Sequence, residues 1–139
     1  MTQARKYRGM RTQANVAGYL RERGWPFAES TGAGRPGVDV TGCPDLAVEV
    51  KARADLAPVA WMRQAESSVA GSARYRFPLV VYRANGMGED AGRYLAIVRF
   101  ADLVDLLTAA GYGDGQQDLG ISVSRNLGAA APLHQPPTD

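Results

Sequence analysis

The chain has 139 residues, 16 lysines and arginines against 14 acids, and a net charge of +2. That length suits one domain with one core, and the ordinary apolar content argues against wholesale disorder. No apolar run reaches the roughly 18–20 residues that span a bilayer, and the basic start MTQARKYRGMR lacks the apolar stretch of a signal peptide, so a cytosolic protein is the expectation. The single cysteine, Cys43, and the single histidine, His134, make a zinc site or a histidine-based triad improbable. Chemistry must then come from carboxylates, lysine, arginine, amides or hydroxyls.

In chain order, residues 10–23 read as a helix with Val16, Ala17 and Leu20 on one stripe and Gly24 as its stop. Residues 1–9 are expected to be a basic arm, and 25–30 a short strand. TGAGRPG at 31–37 is a Gly/Pro loop. Val38 to Thr41 reads as strand, Gly42-Cys43-Pro44-Asp45 as turn, and Leu46 to Lys51 as an alternating strand with Glu49 and Lys51 on one face. Pro58 opens a helix to about Ala70 that Gly71 closes. Residues 78–83 form an apolar, central strand, 85–92 a Gly-rich turn and 94–99 another strand. Asp102 is the expected N-cap of a third helix whose stripe of Leu103, Leu106, Leu107 and Ala110 is core or dimer interface. A short strand at 121–123 and a disordered tail at 128–139 complete the expectation, with 112–139 weakly structured. The order α-β-β-β-α-β-β-α predicts an α/β (α+β) chain, a mixed β-sheet flanked by helices over residues 1–111.

Charge is distributed unevenly. Residues 1–35 hold seven lysines and arginines against two acids, and residues 101–139 hold one arginine against five acids. A basic N-terminal part fits a nucleic-acid backbone partner or, equally, a solvated charged face.

Read as a β-hairpin about Pro44, the 38–51 segment places Asp39 directly opposite Glu49, with Lys51 two residues further on the same face. Two carboxylates at that distance repel each other unless a cation lies between them. Mg²⁺, or Mn²⁺, resolves that repulsion, keeps waters and takes a phosphate oxygen. Lys51 can then position the attacking water or hold developing charge. A Glu-x-Lys pair by itself is more often a surface salt bridge; the cross-strand aspartate and the flanking helices make it more telling.

The run GRPGVDVTGCPDLAVEVKAR resembles the core motif of PD-(D/E)XK nucleases, and more narrowly that of archaeal-type and phage Holliday junction resolvases. Gly9 through Lys51 resembles their N-terminal module, and Trp61-Met62-Arg63-Gln64-Ala65 the start of the helix that follows in phage members. The resemblance covers roughly residues 5–110. It implies a restriction-endonuclease-like fold and an Mg²⁺-dependent endonuclease, a homodimer that cuts four-way DNA junctions in phage or bacterial recombination and repair. The products would carry 5′-phosphate and 3′-hydroxyl ends. Asp39 and Glu49 would bind metal, the Val50 carbonyl would add a ligand, and Ser30 would match a loop serine that assists cleavage.

Two departures stand out. Archaeal members carry a glutamate on the first helix where this chain has Gln13, which is a satisfied core amide or a site contact. The proline-aspartate pair is replaced by Val38-Asp39, and Asp45 of Pro44-Asp45 is assigned to the turn. Arg5, Lys6, Arg8 and Arg11 are candidate phosphate contacts on the arm, and Arg35 on the loop. Gln64 is a site contact or a core-capping amide; Trp25 and Trp61 are expected in the core and Cys43 in an inert turn. No membrane and no small-molecule cofactor are expected. The alternatives are another nuclease of this superfamily, restriction-type or repair exonuclease; a non-catalytic DNA-binding module with the same fold; and a structural α/β protein with a surface Glu–Lys bridge.

Overall fold

The computed structural model describes residues 2–32, 37–70, 72 and 74–113. Arg35, Gly71, the strand expected at 121–123, the tail at 128–139 and His134 lie outside the described residues. The elements are α1 (Gln3–Arg21), β1 (Glu29–Ser30), β2 (Val40–Thr41), β3 (Leu46–Lys51), α2 (Pro58–Ser67), β4 (Phe77–Tyr82), a 3₁₀ turn (Ala91–Arg93), β5 (Leu95–Ile97) and α3 (Phe100–Ala109). This is a mixed α+β chain with a small mixed sheet. It divides into two compact units, Met1–Val98 and Arg99–Asp139.

The first helix corrects the expectation of a basic arm. It starts at Gln3, where the Thr2 hydroxyl accepts from the Arg5 amide, and it runs through Gly9. Ala4, Arg5, Lys6, Met10 and Arg11 all favour helix, so one glycine costing about 1 kcal/mol does not end it. Side chains anchor this stretch: the Arg8 guanidinium donates to the Ala84 carbonyl at 2.8 Å and the Thr12 hydroxyl to the Arg8 carbonyl at 2.7 Å. At the far end Gly24 adopts a positive φ, and the Trp25 amide returns to the Leu20 carbonyl.

Three strands form one sheet in the order β3-β4-β5, with β3 and β4 parallel and β4 and β5 antiparallel. The apolar run around 78–83 thus occupies the centre, and α2 supplies the crossover that a parallel pair requires. Two apolar layers cover the sheet. On one side Val48 and Val50 pack with Val16 and Ala17 of α1, and with Ala28, Val40, Cys43 and Tyr94. On the other, Val80 packs with Trp61, Met62 and Ala65 of α2, and Trp61 lies against the Tyr82 ring. Burying each such side chain contributes about 1.5–3 kcal/mol.

The expected hairpin register is also corrected. β2 pairs antiparallel with β1, Glu29 opposite Thr41 and Ser30 opposite Val40, rather than forming a ladder with β3. Asp39, just before β2, gives β3 one backbone bond, from its amide to the Val48 carbonyl, and the link from β2 to β3 is a turn closed from the Leu46 amide to the Cys43 carbonyl. The cause is local. Gly42 sits at φ +78°, Pro44 has no amide to donate, and the strand veers toward residues 27–30.

In the second unit, α3 begins one residue after Arg99, which holds the N-cap position, so Asp102 lies in the first turn instead of at the cap. Its apolar residues set the helix but none of them is buried.

A side chain at position 42 would place its Cβ 1.8 Å from the Phe27 carbonyl oxygen, on a backbone that L-residues avoid. Gly42→Ala is expected to lower folding stability by about 3 kcal/mol, read from the midpoint of urea unfolding.

Candidate active site

The sequence-predicted trio converges at one edge of the sheet. The carbonyls of Asp45 and Lys51 bond to β4, so the odd-numbered residues of β3 turn their backbone groups toward β4 and the even-numbered ones turn theirs away. On that outward side the Val48 carbonyl accepts from the Asp39 amide, and the Val50 amide donates to Asp39 Oδ2 at 2.8 Å. The Asp39 carboxylate therefore takes the place of a missing neighbouring strand. The Val50 carbonyl points to the same side as its amide, next to that carboxylate.

Glu49 is 1 % exposed, and its Oε1 is buried with no hydrogen-bond partner. Its other oxygen lies 3.9 Å from Lys51 Nζ. The Glu49 carboxyl is pushed up to about 7, first by burial and then by the negative charge of Asp39; the Lys51 ammonium opposes this, and a hydrogen bond to Asp39 from the protonated form adds to it. Lys51 is held from the α2 side, where Gln64 Oε1 accepts from its ammonium at 2.7 Å.

Gln13 and Ser30 meet each other rather than the trio. Gln13 is buried, and its Oε1 accepts from the Ser30 hydroxyl at 3.1 Å, while the Gly32 amide donates to Ser30. Among the described residues neither is hydrogen-bonded to Asp39, Glu49 or Lys51. The pair instead fixes the start of the Gly/Pro loop, whose Thr31 amide bonds to the Asp39 carbonyl. Asp45 lies in the turn before β3 and accepts from the Trp25 indole at 2.9 Å. Cys43 is buried, and burial pushes its thiol up, away from the reactive range.

Arg5 and Lys6 are exposed on the first turns of α1. Arg8 is used within the fold, and Arg11 is exposed but pairs with Glu89 at 3.3 Å. The sequence reading missed Arg83, which is buried and donates to the Thr12 hydroxyl. Its one signal is an arginine ending an apolar strand, a place that rarely holds a charge without a partner.

A divalent cation fits the donor set. Asp39, Glu49 and the Val50 carbonyl offer hard oxygen ligands, and the orphaned Glu49 oxygen is what such an ion would satisfy. Among the described residues no three of His, Cys, Asp or Glu come together, so the remaining ligands would be water or substrate oxygen.

Comparisons with protein-family models, with curated proteins and with solved structures gave no match. No helix among the described residues is long and apolar enough to cross a membrane.

The sign of the Glu49 shift sets a pH dependence. The folded carboxyl keeps its proton between about 4.5 and about 7, whereas the unfolded one has lost it. Metal-free protein should therefore lose stability as pH rises through that window. Glu49→Gln is expected to remove this slope in unfolding experiments from pH 4 to 8. Added Mg²⁺ should stabilise the wild type increasingly with pH and leave the variant unmoved. An unchanged slope in Glu49→Gln would place the titration on another group.

Proposed function

We propose that this chain is a metal-dependent endonuclease of the PD-(D/E)XK type that hydrolyses phosphodiesters in branched DNA. The observation that carries the reading is the buried, unpartnered Glu49 oxygen beside Asp39, with the Lys51 amine on the same residue. A cross-strand salt bridge on a solvated face would leave no carboxylate oxygen buried without a donor. The order of elements, α-β-β-β-α-β-β-α, supports the restriction-endonuclease-like architecture, as does a motif strand at the edge of a mixed sheet.

The roles follow from the contacts. Asp39, Glu49 and the Val50 carbonyl would hold Mg²⁺ or Mn²⁺. When bound, such an ion lowers the pKa of a coordinated water and offsets charge building on the phosphate. Glu49 must give up its proton to serve as a ligand, which ties cation binding to pH near 7. Gln64 aims the Lys51 ammonium, which positions the attacking water or holds negative charge at the reacting phosphate. The Gln13–Ser30 pair positions the loop that leads into Asp39 and takes no proton from substrate. Paired cuts across a four-way junction require two such sites, so the working form is a homodimer.

A synthetic four-way junction and a linear duplex of the same sequence, each with and without Mg²⁺, test the reading. Wild type should introduce paired, symmetric nicks in the junction only with metal, and Glu49→Gln none. Lys51→Ala should slow cleavage by about 100-fold to 1,000-fold with little change in junction binding. Equal cleavage of linear duplex would move the substrate toward restriction-type or repair enzymes. Binding without any metal-dependent nicking would reduce the chain to a non-catalytic DNA-binding module.

A further inference from the structure

A second group of charges lies on the opposite side of the sheet. Arg83 directly follows β4, and its amide bonds to the Lys51 carbonyl, so it stands at the same end of the sheet as the trio. Its side chain turns toward α1, away from the α2 side where Gln64 holds Lys51. There the Arg83 guanidinium donates to the Thr12 hydroxyl and to the Met87 carbonyl, both at 3.1 Å. Arg8 and Arg11 come from the same stretch of α1. Two of these guanidiniums meet at one carboxylate, Glu89, whose Oε1 lies 3.3 Å from Arg11 and 3.7 Å from Arg83, while Arg8 binds the neighbouring Ala84 carbonyl.

Glu89 is not what holds this region together. The 84–90 segment is already tied down by Arg8 to Ala84, by Arg83 to Met87 and by the Tyr94 hydroxyl to Gly88. Asn15 fixes Tyr94 in turn. The Glu89 side chain is 55 % exposed, and an ion pair with so much water around it contributes little. Arg83, by contrast, is 7 % exposed and needs a counter-charge. Arg8 Nε is buried and has no hydrogen-bond partner. A weakly held carboxylate therefore covers two guanidiniums, and an unfilled Arg8 donor lies on the same stretch of α1.

We propose that Arg11 and Arg83, with Arg8 beside them, form a seat for a backbone phosphate of the bound nucleic acid, and that Glu89 fills it until a phosphate takes its place. A phosphodiester offers two anionic oxygens in the geometry that guanidiniums bind best. The inference builds on the DNA reading above and adds a contact on the opposite face of the sheet from the trio. A junction arm that reaches both faces of the sheet is held at two points. Because Glu89 must leave, its charge weakens binding in the free protein and rejects ligands that cannot supply a replacement anion.

The test measures binding of a labelled four-way junction in EDTA over a salt series, using wild type, Glu89→Gln, Arg11→Gln, the double variant and the control Glu22→Gln. Glu89→Gln should bind about threefold to fivefold tighter. Arg11→Gln should bind more weakly, with a log–log salt slope shallower by about one. The gain from Glu89→Gln should fall by about half in the Arg11→Gln background. A gain no larger than that of Glu22→Gln, or one retained in full without Arg11, would overturn the seat, as would a Glu89→Gln protein that melts early and binds less. A second arm reads melting temperature in inorganic phosphate against chloride at equal ionic strength. A rise in Glu89→Gln that Arg11→Gln abolishes supports an oxyanion seat even if the chain binds no DNA, an outcome that would fell the nuclease reading alone. In a protein that does bind the junction, phosphate protection without tighter binding by Glu89→Gln would overturn the phosphodiester assignment.

Discussion

One buried carboxylate organises the functional end of this protein. Glu49 lies on a strand whose neighbours are apolar on both sides, beside a second carboxylate and within reach of one amine. A charged oxygen in that place has no donor to replace water, and desolvation alone disfavours ionisation. Its carboxyl, pushed up to about 7, is carried in the neutral form below that pH. On the proposed reading, the burial that disfavours its charge is also what would make a cation welcome beside it.

The parts around that carboxylate are set by backbone geometry more than by side-chain packing. Among the described residues β3 has a strand partner on one side only, and Asp39 closes the other by accepting from the Val50 amide. α2 returns the chain to β4 and also carries Gln64 to the Lys51 amine. The crossover that makes the sheet parallel is therefore the element that aims the lysine. On the reverse side, α1 brings its arginines to the end of β4, so both charged groups sit where parallel strands end and loops take over.

Much of this was legible in the sequence, for identifiable reasons. The apolar run ending in Arg83 marked a central strand because both of its faces had to be covered. The alternation of Leu46 through Lys51 put Glu49 and Lys51 on one face, where they are found. The pairing of β2 was not legible. It depends on Gly42 turning left-handed against Phe27, a contact between segments fifteen residues apart. The helical start of α1 was read as an arm because its charges suggested solvent, while the contacts of Arg8 and Thr12 with the end of β4 are long-range. Of the two readings open for Gln13, the structure shows a buried, hydrogen-bonded amide, but its partner, Ser30, depends on how β1 and β2 meet.

On the proposed reading Asp39 has two jobs for one group: an oxygen braces the main chain, and the negative charge would serve the ion. Those jobs can be separated by chemistry as slight as an amide. Asparagine at position 39 would keep an acceptor for the Val50 amide and forfeit the charge, and glutamine at position 49 would fill the same buried volume with a neutral group. A lineage could drift by those two exchanges into an inert scaffold of unchanged outline. If the proposed chemistry holds, shape is thus a poor witness to activity in such a lineage, and the two acidic positions are a good one.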